Sequence, residues 1–508
     1  MNNKSPVWAV LFFGFLLSFL VAAFFGVGFQ ASDDGAYLAG GKGWLYGAPY
    51  VGDSHWTLRH TITLPLAVVF GALGVREISL FAVAFVYLIA TIAIIVSLMV
   101  PKIGVRASLL ALLIMLSAPG FSILGTYVNT DVPELFFVFG SLTLFLLAAE
   151  RNGAAALLIA AGAMLALALL TRQTSLALGL LYGLCFLFFP MMPRQRYFLM
   201  AVGIVPVLLF EWCYLFVMTG DPMYRLSVDF HHDPVNRAAE FANVTGRGDF
   251  IDKEGALTIN LWLDPIINMF VSQKFGLIFW YFFPFAWYLS KRNLEQNQRR
   301  FLRALLLAAL VWYVFSAYNP KLYFVPRYQI FVYVCAAVTV SWGISLLWQQ
   351  GSKRLVYVLS GMLVISNLAL LMLENTDPRA TERMVVDFVA AHPGETIFTD
   401  WNTARRAAMF AELQGVSMDR VVRAMPNGTG YVLYDANSIQ RCMQSKNCAR
   451  PEIANFVPQE NWQKTDTLQR VNRPIGRLLN ATGIAERLPR SIARKVLGIE
   501  TIVVFRVE

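Results

Sequence analysis

Long apolar segments without charge constrain this chain more than any other feature. About 20 helical residues cross a hydrocarbon layer about 30 Å thick, and eleven apolar runs, each with at most one charged residue, approach or exceed that length. Only helices and closed barrels satisfy their backbone polar groups in lipid, so the pattern predicts an all-α polytopic membrane domain. The runs cover residues 7–29, 78–100, 107–124, 133–149, 154–171, 175–190, 198–218, 274–290, 301–318, 329–348 and 355–373.

The composition supports this interpretation and excludes a soluble enzyme. Charged residues make up 15% of the 508 residues and apolar residues 57%, whereas soluble domains carry about 25% charged residues. Five cysteines are too few for a disulfide scaffold. Only Lys4 precedes the first run and no small-residue cleavage site follows it, so we expect a retained helix and not a signal peptide.

Lys and Arg in the short loops predict the orientation, because positive charge is retained in the cytoplasm during insertion. With the N-terminus inside, the inner loops hold thirteen Lys and Arg, against only Glu150 and Glu295. An odd number of spans then places the C-terminus outside. The net charge of +10 therefore reflects topology and not a nucleic-acid surface. The compact loops favour a prokaryotic source, for which we expect the bacterial inner membrane and a periplasmic C-terminal domain.

Three outer segments are long enough to carry function: residues 30–77, 219–273 and 374–508. We expect residues 1–373 to form the transmembrane domain, with the first two segments as its outer loops. Residues 59–74 are apolar but contain Pro65, which favours a re-entrant or juxtamembrane helix over a span. Residues 260–271 are a candidate for a second such helix.

The C-terminal segment differs in composition from the rest of the chain. It has 18 basic and 15 acidic residues, a helical pattern at 382–391, and short β-rich runs at 396–399, 431–434 and 501–507. These features predict a small extracytoplasmic α/β domain. Cys442 and Cys448 lie here with five residues between them. A disulfide is plausible in an oxidising compartment, and two free thiols are the alternative.

An acidic pair directly follows the first span. Residues 32–37 read Ser-Asp-Asp-Gly-Ala-Tyr, so Asp33 and Asp34 lie at the outer membrane surface. Such a carboxylate can act as a general base at the interface. The alternative is that Asp33 caps the helix that begins at about Asp34.

Two further outer turns combine acidic and basic side chains. Asp131 and Glu134 lie between the third and fourth spans, where capping of the next helix is the alternative role. Arg172 lies between the fifth and sixth spans, and Arg327 precedes the tenth, with Lys321 nearby. Outer basic residues run against the orientation rule, although an arginine at a helix end can also snorkel to lipid phosphate.

No motif for a metal or a nucleotide stands out. All five histidines map to the outer side, and His231, His232 and Asp233 together with Asp33 could form a metal site. Their spacing is not diagnostic, and ordinary loop histidines are the favoured interpretation. The sequence lacks a phosphate-loop, a dinucleotide fingerprint and a Gly-x-Ser-x-Gly motif.

Taken in order, these motifs resemble the GT-C glycosyltransferases. The shared features are a first span followed by an acidic pair and a Tyr, a Thr-Asp-x-Pro turn, a basic residue after the fifth span, and Arg-Tyr at a late span. Within that superfamily the chain looks most like the protein mannosyltransferases and aminoarabinose transferases, over residues 1–350. It departs from them at Gly35, where a larger residue is common, and at Asp34, where Glu is common.

The resemblance implies transfer of a sugar from a polyprenyl-phosphate donor to an acceptor hydroxyl on the extracytoplasmic side, with inversion. The acceptor would be a glycolipid such as lipid A, a polysaccharide or a protein. No cofactor is assigned, although a divalent metal is left open, and no nucleic acid is expected. The implied residues are Asp33 as base with Asp34 and Asp131 as further catalytic acids; Arg172, Arg327, Arg59 and Lys321 at the donor phosphate; and Tyr37, Glu134, His55 and Tyr328 at the acceptor or sugar.

Two other classes of protein share the coarse features. A transporter or flippase of lipid-linked saccharides would have a similar hydropathy pattern, but it usually shows internal repeats and ionisable groups within its spans. Here the interiors of the spans are free of charge apart from Glu211. A non-catalytic scaffold whose C-terminal segment binds a partner is the third option. Neither alternative requires a carboxylate at Asp33.

Overall fold

Two compact units make up the chain. The computed structural model describes residues 5–231, 262–319, 325–444, 453 and 455–508. The first unit comprises Met1–Phe24, Tyr37–Val69 and Ala82–Leu371, and the second comprises Phe25–Ala36, Phe70–Phe81 and Met372–Glu508. The last segment of the second unit begins two residues before the predicted domain boundary. Its two short N-terminal segments come from regions that the sequence grouped with the membrane domain, and the functional domain boundary stays a prediction.

Apolar helices build the first unit, because its long uncharged segments have no polar partner other than their own backbone. The helices up to residue 187 are α1 (Ser5–Phe25), α2 (Asp33–Gly47), α3 (His60–Leu73), α4 (Glu77–Ser117), α5 (Pro119–Ser122), α6 (Asp131–Glu150), α7 (Ala155–Thr171) and α8 (Leu176–Leu187). The later ones are α9 (Arg194–Thr219), α10 (Tyr224–His231), α11 (Asp264–Val271), α12 (Ile278–Ser290), α13 (Gln296–Ala317), α14 (Ile330–Gln349) and α15 (Lys353–Met372).

All eleven predicted spans coincide with helical segments, which confirms the polytopic all-α prediction. The second lies in the 41-residue α4, which bends at Gly104, where φ is +81°, and the third begins in α4 and continues through α5 into the 3₁₀ helix Ile123–Thr126. Among the described residues, seven helices, α4 included, are long and apolar enough to cross a membrane, and α7 and α8 are shorter apolar helices. The chain is an integral membrane protein. Both segments predicted as re-entrant or juxtamembrane helices are helical, as α3 and α11, and their position relative to the membrane stays a prediction.

Side chains predicted for the inner side contact one another although they come from different loops. Lys102 forms an ion pair with Glu150. Arg106 and Lys353 each lie 5.9 Å from the ring of Trp348. These pairs connect the bend of α4 with the C-terminal end of α6, and they connect that bend and the start of α15 with the end of α14. The absolute orientation stays a prediction.

We expect reporters to give opposite results at the two sides of the membrane. A reporter fused after Glu508 should behave as extracytoplasmic and one fused after Arg300 as cytoplasmic, because the inner loops carry a net charge of +11 and the rest of the chain −1. Paired phosphatase and fluorescent-protein fusions at each site measure this directly. The reverse pattern would place every candidate site residue on the cytoplasmic side and would contradict the orientation.

The predicted α/β domain is present in the second unit. Its described residues include one sheet of five strands in the order β2-β1-β3-β5-β4. β1 is parallel to β2 and β3, whereas β5 is antiparallel to β3 and β4. The strands are β1 (Ile397–Thr399), β2 (Val421–Val422), β3 (Gly430–Tyr434), β4 (Gln463–Val471) and β5 (Ile499–Val507), and the helices are α16 (Ala380–Ala391), α17 (Trp401–Gln414), α18 (Ala436–Gln444), α19 (Pro474–Ala481) and α20 (Arg490–Leu497).

The sequence missed the two edge strands for a physical reason. β4 is polar and largely exposed, so it lacks the apolar alternation by which a half-buried strand is recognised. The three predicted β-rich runs are β1, β3 and β5, which contribute Phe398, Val432 and Val507 to the buried core. Cys442 lies in α18 and Cys448 lies outside the described residues, so their disulfide stays a prediction.

Candidate active site

The turn before α6 is capped by a residue that the sequence analysis did not consider. The side-chain oxygen of Asn129 accepts hydrogen bonds from the backbone N–H groups of Asp131 at 2.8 Å and Val132 at 3.3 Å. In this described turn the side chain of Thr130 makes no capping hydrogen bond. Because Asn129 satisfies these donors, the carboxylate of Asp131 is available for other contacts.

Arg172 contacts both acidic side chains of this turn. It follows the end of α7 in an extended conformation, with φ −161° and ψ 137°. Its guanidinium donates a hydrogen bond to Asp131 and lies 3.6 Å from a carboxylate oxygen of Glu134. The arginine is 9% exposed, so it does not extend toward lipid phosphate as the snorkelling alternative requires.

Asp131 and Glu134 differ in the hydrogen bonds that their carboxylate oxygens accept. Glu134 accepts hydrogen bonds from Thr174 and from Ser175, the latter at 2.8 Å. In contrast, Oδ2 of Asp131 is buried and accepts no hydrogen bond from any described residue. A buried carboxylate oxygen without a donor is costly. This oxygen is therefore a candidate acceptor for a hydroxyl group of a bound substrate.

A third turn adds an aromatic ring and a second arginine. Arg327 and Tyr328 lie in the 3₁₀ helix Pro326–Gln329 that precedes α14. The guanidinium carbon of Arg172 lies 3.9 Å from the ring centroid of Tyr328, and that of Arg327 lies 5.4 Å from it. Five residues predicted from three separate motifs thus form one cluster, which we call the arginine cluster: Asp131, Glu134, Arg172, Arg327 and Tyr328.

Arg327 also lines a cavity of about 270 Å³. Lys274 contributes a second basic side chain to it, and none of the described lining residues is acidic. Lys274 is the first residue of the predicted span 274–290, and Arg327 lies two residues before the predicted span 329–348. Lys274 was not among the predicted site residues. Two basic groups around one small cavity suit a phosphate group.

Arg59 and Tyr37 form a separate pair. Arg59 donates a hydrogen bond to the hydroxyl of Tyr37, whose side chain is buried. The ring centroid of His55 lies 3.9 Å from that of Trp56. Two residues after Arg59, Thr61 accepts a hydrogen bond from Thr171 at 2.8 Å. This bond connects the beginning of α3 to the residue before Arg172.

A larger apolar cavity of about 650 Å³ lies in the same unit. Leu167 and Leu170 of α7, Phe210 and Glu211 of α9, and Trp44 are among its lining residues. Leu170 is two residues before Arg172, so the cavity begins at the end of α7 that leads into the arginine cluster. Its apolar walls suit a hydrocarbon chain.

Glu211, the acidic residue within a predicted span, has two basic partners in the structure. Arg225 of α10 donates a hydrogen bond to it, and Nδ1 of His60 lies 3.3 Å from the same oxygen. Arg225 also donates to the backbone carbonyl of Leu170 at 2.8 Å. These contacts connect α3, α7, α9 and α10 at one wall of the apolar cavity. The sequence analysis did not assign Arg225 a role.

The acidic pair lies in the second unit. Asp34 is 2% exposed and accepts hydrogen bonds from the backbone N–H groups of Gln30 at 2.6 Å and Ser32 at 2.8 Å. Burial raises its pKa to about 6. Asp33 is partly exposed and is the first residue of α2. Ser32 therefore precedes the helix, in the position that the capping alternative gave to Asp33.

The predicted phosphate site and the possible metal site each include residues that the structure does not describe. Lys321, His232 and Asp233 lie outside the described residues. Within the described ranges, no three His, Cys, Asp or Glu side chains are grouped so that they could hold a metal ion.

Comparison with known proteins adds the fold. The chain matches the crystal structure of ArnT from Cupriavidus metallidurans in the apo state with a TM-score of 0.59, 12% identity, and coverage of 100% of this chain and 98% of that one. The chain has a GT-C fold. ArnT bound to undecaprenyl phosphate matches with a TM-score of 0.52, 11% identity, and coverage of 99% and 98%.

The same GT-C fold relates the chain to a larger enzyme. The archaeal oligosaccharyltransferase AglB from Archaeoglobus fulgidus, in complex with an inhibitory peptide and a dolichol-phosphate, matches with a TM-score of 0.52 and 14% identity. The match covers 80% of this chain and 64% of that one. Residues 62–220 match the family model described as dolichyl-phosphate-mannose-protein mannosyltransferase. No curated protein sequence matches the chain. The predicted resemblance to the GT-C superfamily is confirmed.

Proposed function

We propose that this GT-C protein is a membrane glycosyltransferase that moves a sugar from a polyprenyl-phosphate donor to an acceptor hydroxyl on the extracytoplasmic side. The arginine cluster carries this proposal, because it combines two guanidinium groups with a buried carboxylate oxygen that no described residue occupies. The relatives support the donor class, since ArnT was determined with undecaprenyl phosphate and AglB with a dolichol-phosphate.

The donor phosphate is assigned to the cavity that Lys274 and Arg327 line. Negative charge grows on the phosphate as the bond to the sugar breaks, and fixed cations stabilise that charge. Arg172 is already paired with Asp131. Its contribution to binding the donor phosphate therefore depends on how that ion pair rearranges when the donor binds. Arg59 and Lys321 remain proposed as secondary phosphate contacts.

The acceptor hydroxyl needs a base. In the proposed reaction the acceptor oxygen attacks the anomeric carbon, the bond from that carbon to the phosphate oxygen breaks, and polyprenyl phosphate leaves with inversion. Asp33, which is partly exposed at the first residue of α2, takes the hydroxyl proton in this proposal. The open oxygen of Asp131 orients a substrate hydroxyl. Phosphate is a good leaving group, so no strong acid is required.

The apolar cavity of about 650 Å³ accommodates part of the polyprenyl chain. Tyr37, Glu134, His55 and Tyr328 remain proposed contacts of the sugar or the acceptor. The acceptor class stays a glycolipid such as lipid A, a polysaccharide or a protein, in the periplasm if the source is bacterial.

Purified protein in detergent tests the function. Incubated with undecaprenyl-phosphate sugars and a panel of envelope glycolipids, it should release undecaprenyl phosphate and add one sugar mass to an acceptor in mass spectra. A transporter or flippase leaves all these masses unchanged in detergent, because there is no second compartment to fill. Comparing envelope glycolipids of cells with and without the protein identifies the natural acceptor.

Removal of the phosphate-site cations should weaken donor binding. We expect Lys274→Ala and Arg327→Ala each to raise the KM for the donor by about tenfold or more, since a hydrogen bond to a charged group contributes about 1.5–3 kcal/mol. Lys353→Ala is the control, because this lysine also lies beside an aromatic ring, as Arg327 does, but among the predicted inner residues. Unchanged KM in both site variants would place the phosphate elsewhere.

A further inference from the structure

The backbone just before the acidic pair is fixed by an arginine of the second unit. Arg383, on α16, donates a hydrogen bond to the carbonyl of Phe29 at 3.2 Å. The same guanidinium binds both carboxylate oxygens of Glu77, at 2.9 and 2.6 Å. Glu77 in turn accepts the backbone N–H of Phe29 at 3.0 Å. Both backbone groups of Phe29 are therefore bound by a single bidentate ion pair.

The next residue is fixed by a second arginine. Arg379 donates from Nε to the carbonyl of Gln30 at 3.0 Å. The N–H of Gln30 donates to Asp34 at 2.6 Å. The acidic pair is thus attached, through one residue, to a side chain at the start of α16.

The backbone between these contacts is strained. Ala31 has φ +49°, in the left-handed region that non-glycine residues avoid. Such a conformation persists only where surrounding contacts determine it, and it is found preferentially at functional sites. The contacts of Phe29 and Gln30 precede Ala31 and those of Ser32 and Asp34 follow it, so the strained residue is held from both directions.

Packing reinforces the same loop. The buried ring of Phe29 meets Phe410 of α17 edge-to-face, with centroids 5.2 Å apart, and Arg383 lies 4.3 Å from the Phe410 centroid. At Gly35 an added Cβ would lie 2.9 Å from the sulfur of Met409. Glycine, the departure from the family pattern noted above, thus lets α17 approach the residue after the acidic pair.

We infer that Arg383 and Arg379 are positioning residues, through which the C-terminal part of the chain sets the location of Asp33 for the reaction. The inference rests on the proposed function for the role of Asp33. The contacts that carry it lie entirely within the second unit. Neither arginine is assigned a contact with the substrate.

Hydrogen exchange measures this role without any activity assay. In Arg383→Ala, backbone amides in a peptide covering residues 25–36 should exchange at least about tenfold faster than in the parent protein. The reason is that the variant lacks the charged contacts that oppose local opening of this loop. Arg506→Ala is the matched control, since Arg506 also pairs with a carboxylate, Glu395 at 3.1 Å, and lies 4.5 Å from an aromatic ring, that of Tyr431. Unchanged exchange in Arg383→Ala would overturn the inference.

Kinetics then connect the loop to the reaction. Arg383→Ala should lower kcat by about 10²-fold, as misplacement of a reacting group by about 1 Å does, while the KM for the donor stays within about twofold. Arg383→Lys should fall between, since an ammonium lacks the planar fork. If Arg383→Ala fails to fold, Arg379→Ala, which loses the bond to Gln30, provides the same two measurements.

The outcomes separate this inference from the proposed function. Faster exchange with normal kcat would contradict the positioning role while leaving Asp33 as base. Normal exchange with lower kcat would contradict it as well. If Asp33→Asn transfers sugar at the parent rate, the proposed function fails, and the exchange measurement still decides whether the arginines hold the loop.

Discussion

Asp33→Asn should lower sugar transfer by about 10²- to 10⁴-fold, the usual contribution of a general base. Asn has nearly the same shape as Asp and can still accept a hydrogen bond, but it cannot take a proton from the acceptor hydroxyl. Asp33 is partly exposed at the first residue of α2, so we expect normal expression and folding. Initial rates at saturating donor and acceptor, with donor binding measured separately, give the result.

Asp34→Asn is the matched control for this experiment. The change also removes a carboxylate, but from a buried side chain whose oxygens accept the N–H groups of Gln30 and Ser32. The two N–H groups bind different carboxylate oxygens, and the amide of Asn has only one oxygen, so one of these bonds is lost. We therefore expect the loop to be less well held. We also expect a smaller loss of transfer rate than in Asp33→Asn. The opposite ranking would move the base by one residue. Parent rates in both variants and in Asp131→Asn would contradict a carboxylate mechanism.

Arg172→Ala should destabilise the protein and abolish transfer together. Removing one partner of a buried ion pair costs about 3–5 kcal/mol, because the other charge stays buried without compensation. Here the side chain of Asp131 is 3% exposed and would lose its basic partner. Thermal unfolding in detergent should show a lower midpoint, and Arg172→Lys should fall between the parent and Arg172→Ala because lysine lacks the planar fork.

A double variant separates the two effects. Arg172→Gln with Asp131→Asn removes both charges, so part of the lost stability should return, whereas transfer should stay at the level of Arg172→Ala. Lys102→Ala is the control, since Lys102 also pairs with a carboxylate, Glu150, but among the predicted inner residues. Recovery of transfer in the double variant would mean that Arg172 and Asp131 act only as a structural pair.

The membrane-spanning part of the fold was predictable because its signal is local. Each span needs a run of apolar residues, whatever the rest of the chain does, and all eleven predicted segments are helical. The C-terminal strands with apolar alternation were found for the same reason. The polar edge strand β4 was missed, since its pairing with β5 and not its own pattern makes it a strand.

The candidate site was predictable in its residue types but not in its partners. The motifs singled out Asp131, Glu134, Arg172, Arg327 and Tyr328 one turn at a time. They could not show that Arg172 pairs with Asp131, or that Asn129 and not Asp131 caps α6. Pairs 41 residues apart in sequence meet only when α6 and α7 pack together.

The sequence by itself determined the membrane location, the helical segments, the α/β tail and which acidic and basic residues lie in the turns between helices, because hydropathy and charge act locally along the chain. Only the tertiary structure decided which of those residues touch. It placed Lys274 and Arg327 around one cavity, and it joined residues 25–36 to α16 through Arg379 and Arg383. These contacts span roughly 50 to 350 residues of sequence, and no local pattern encodes them, because they depend on how the helices pack.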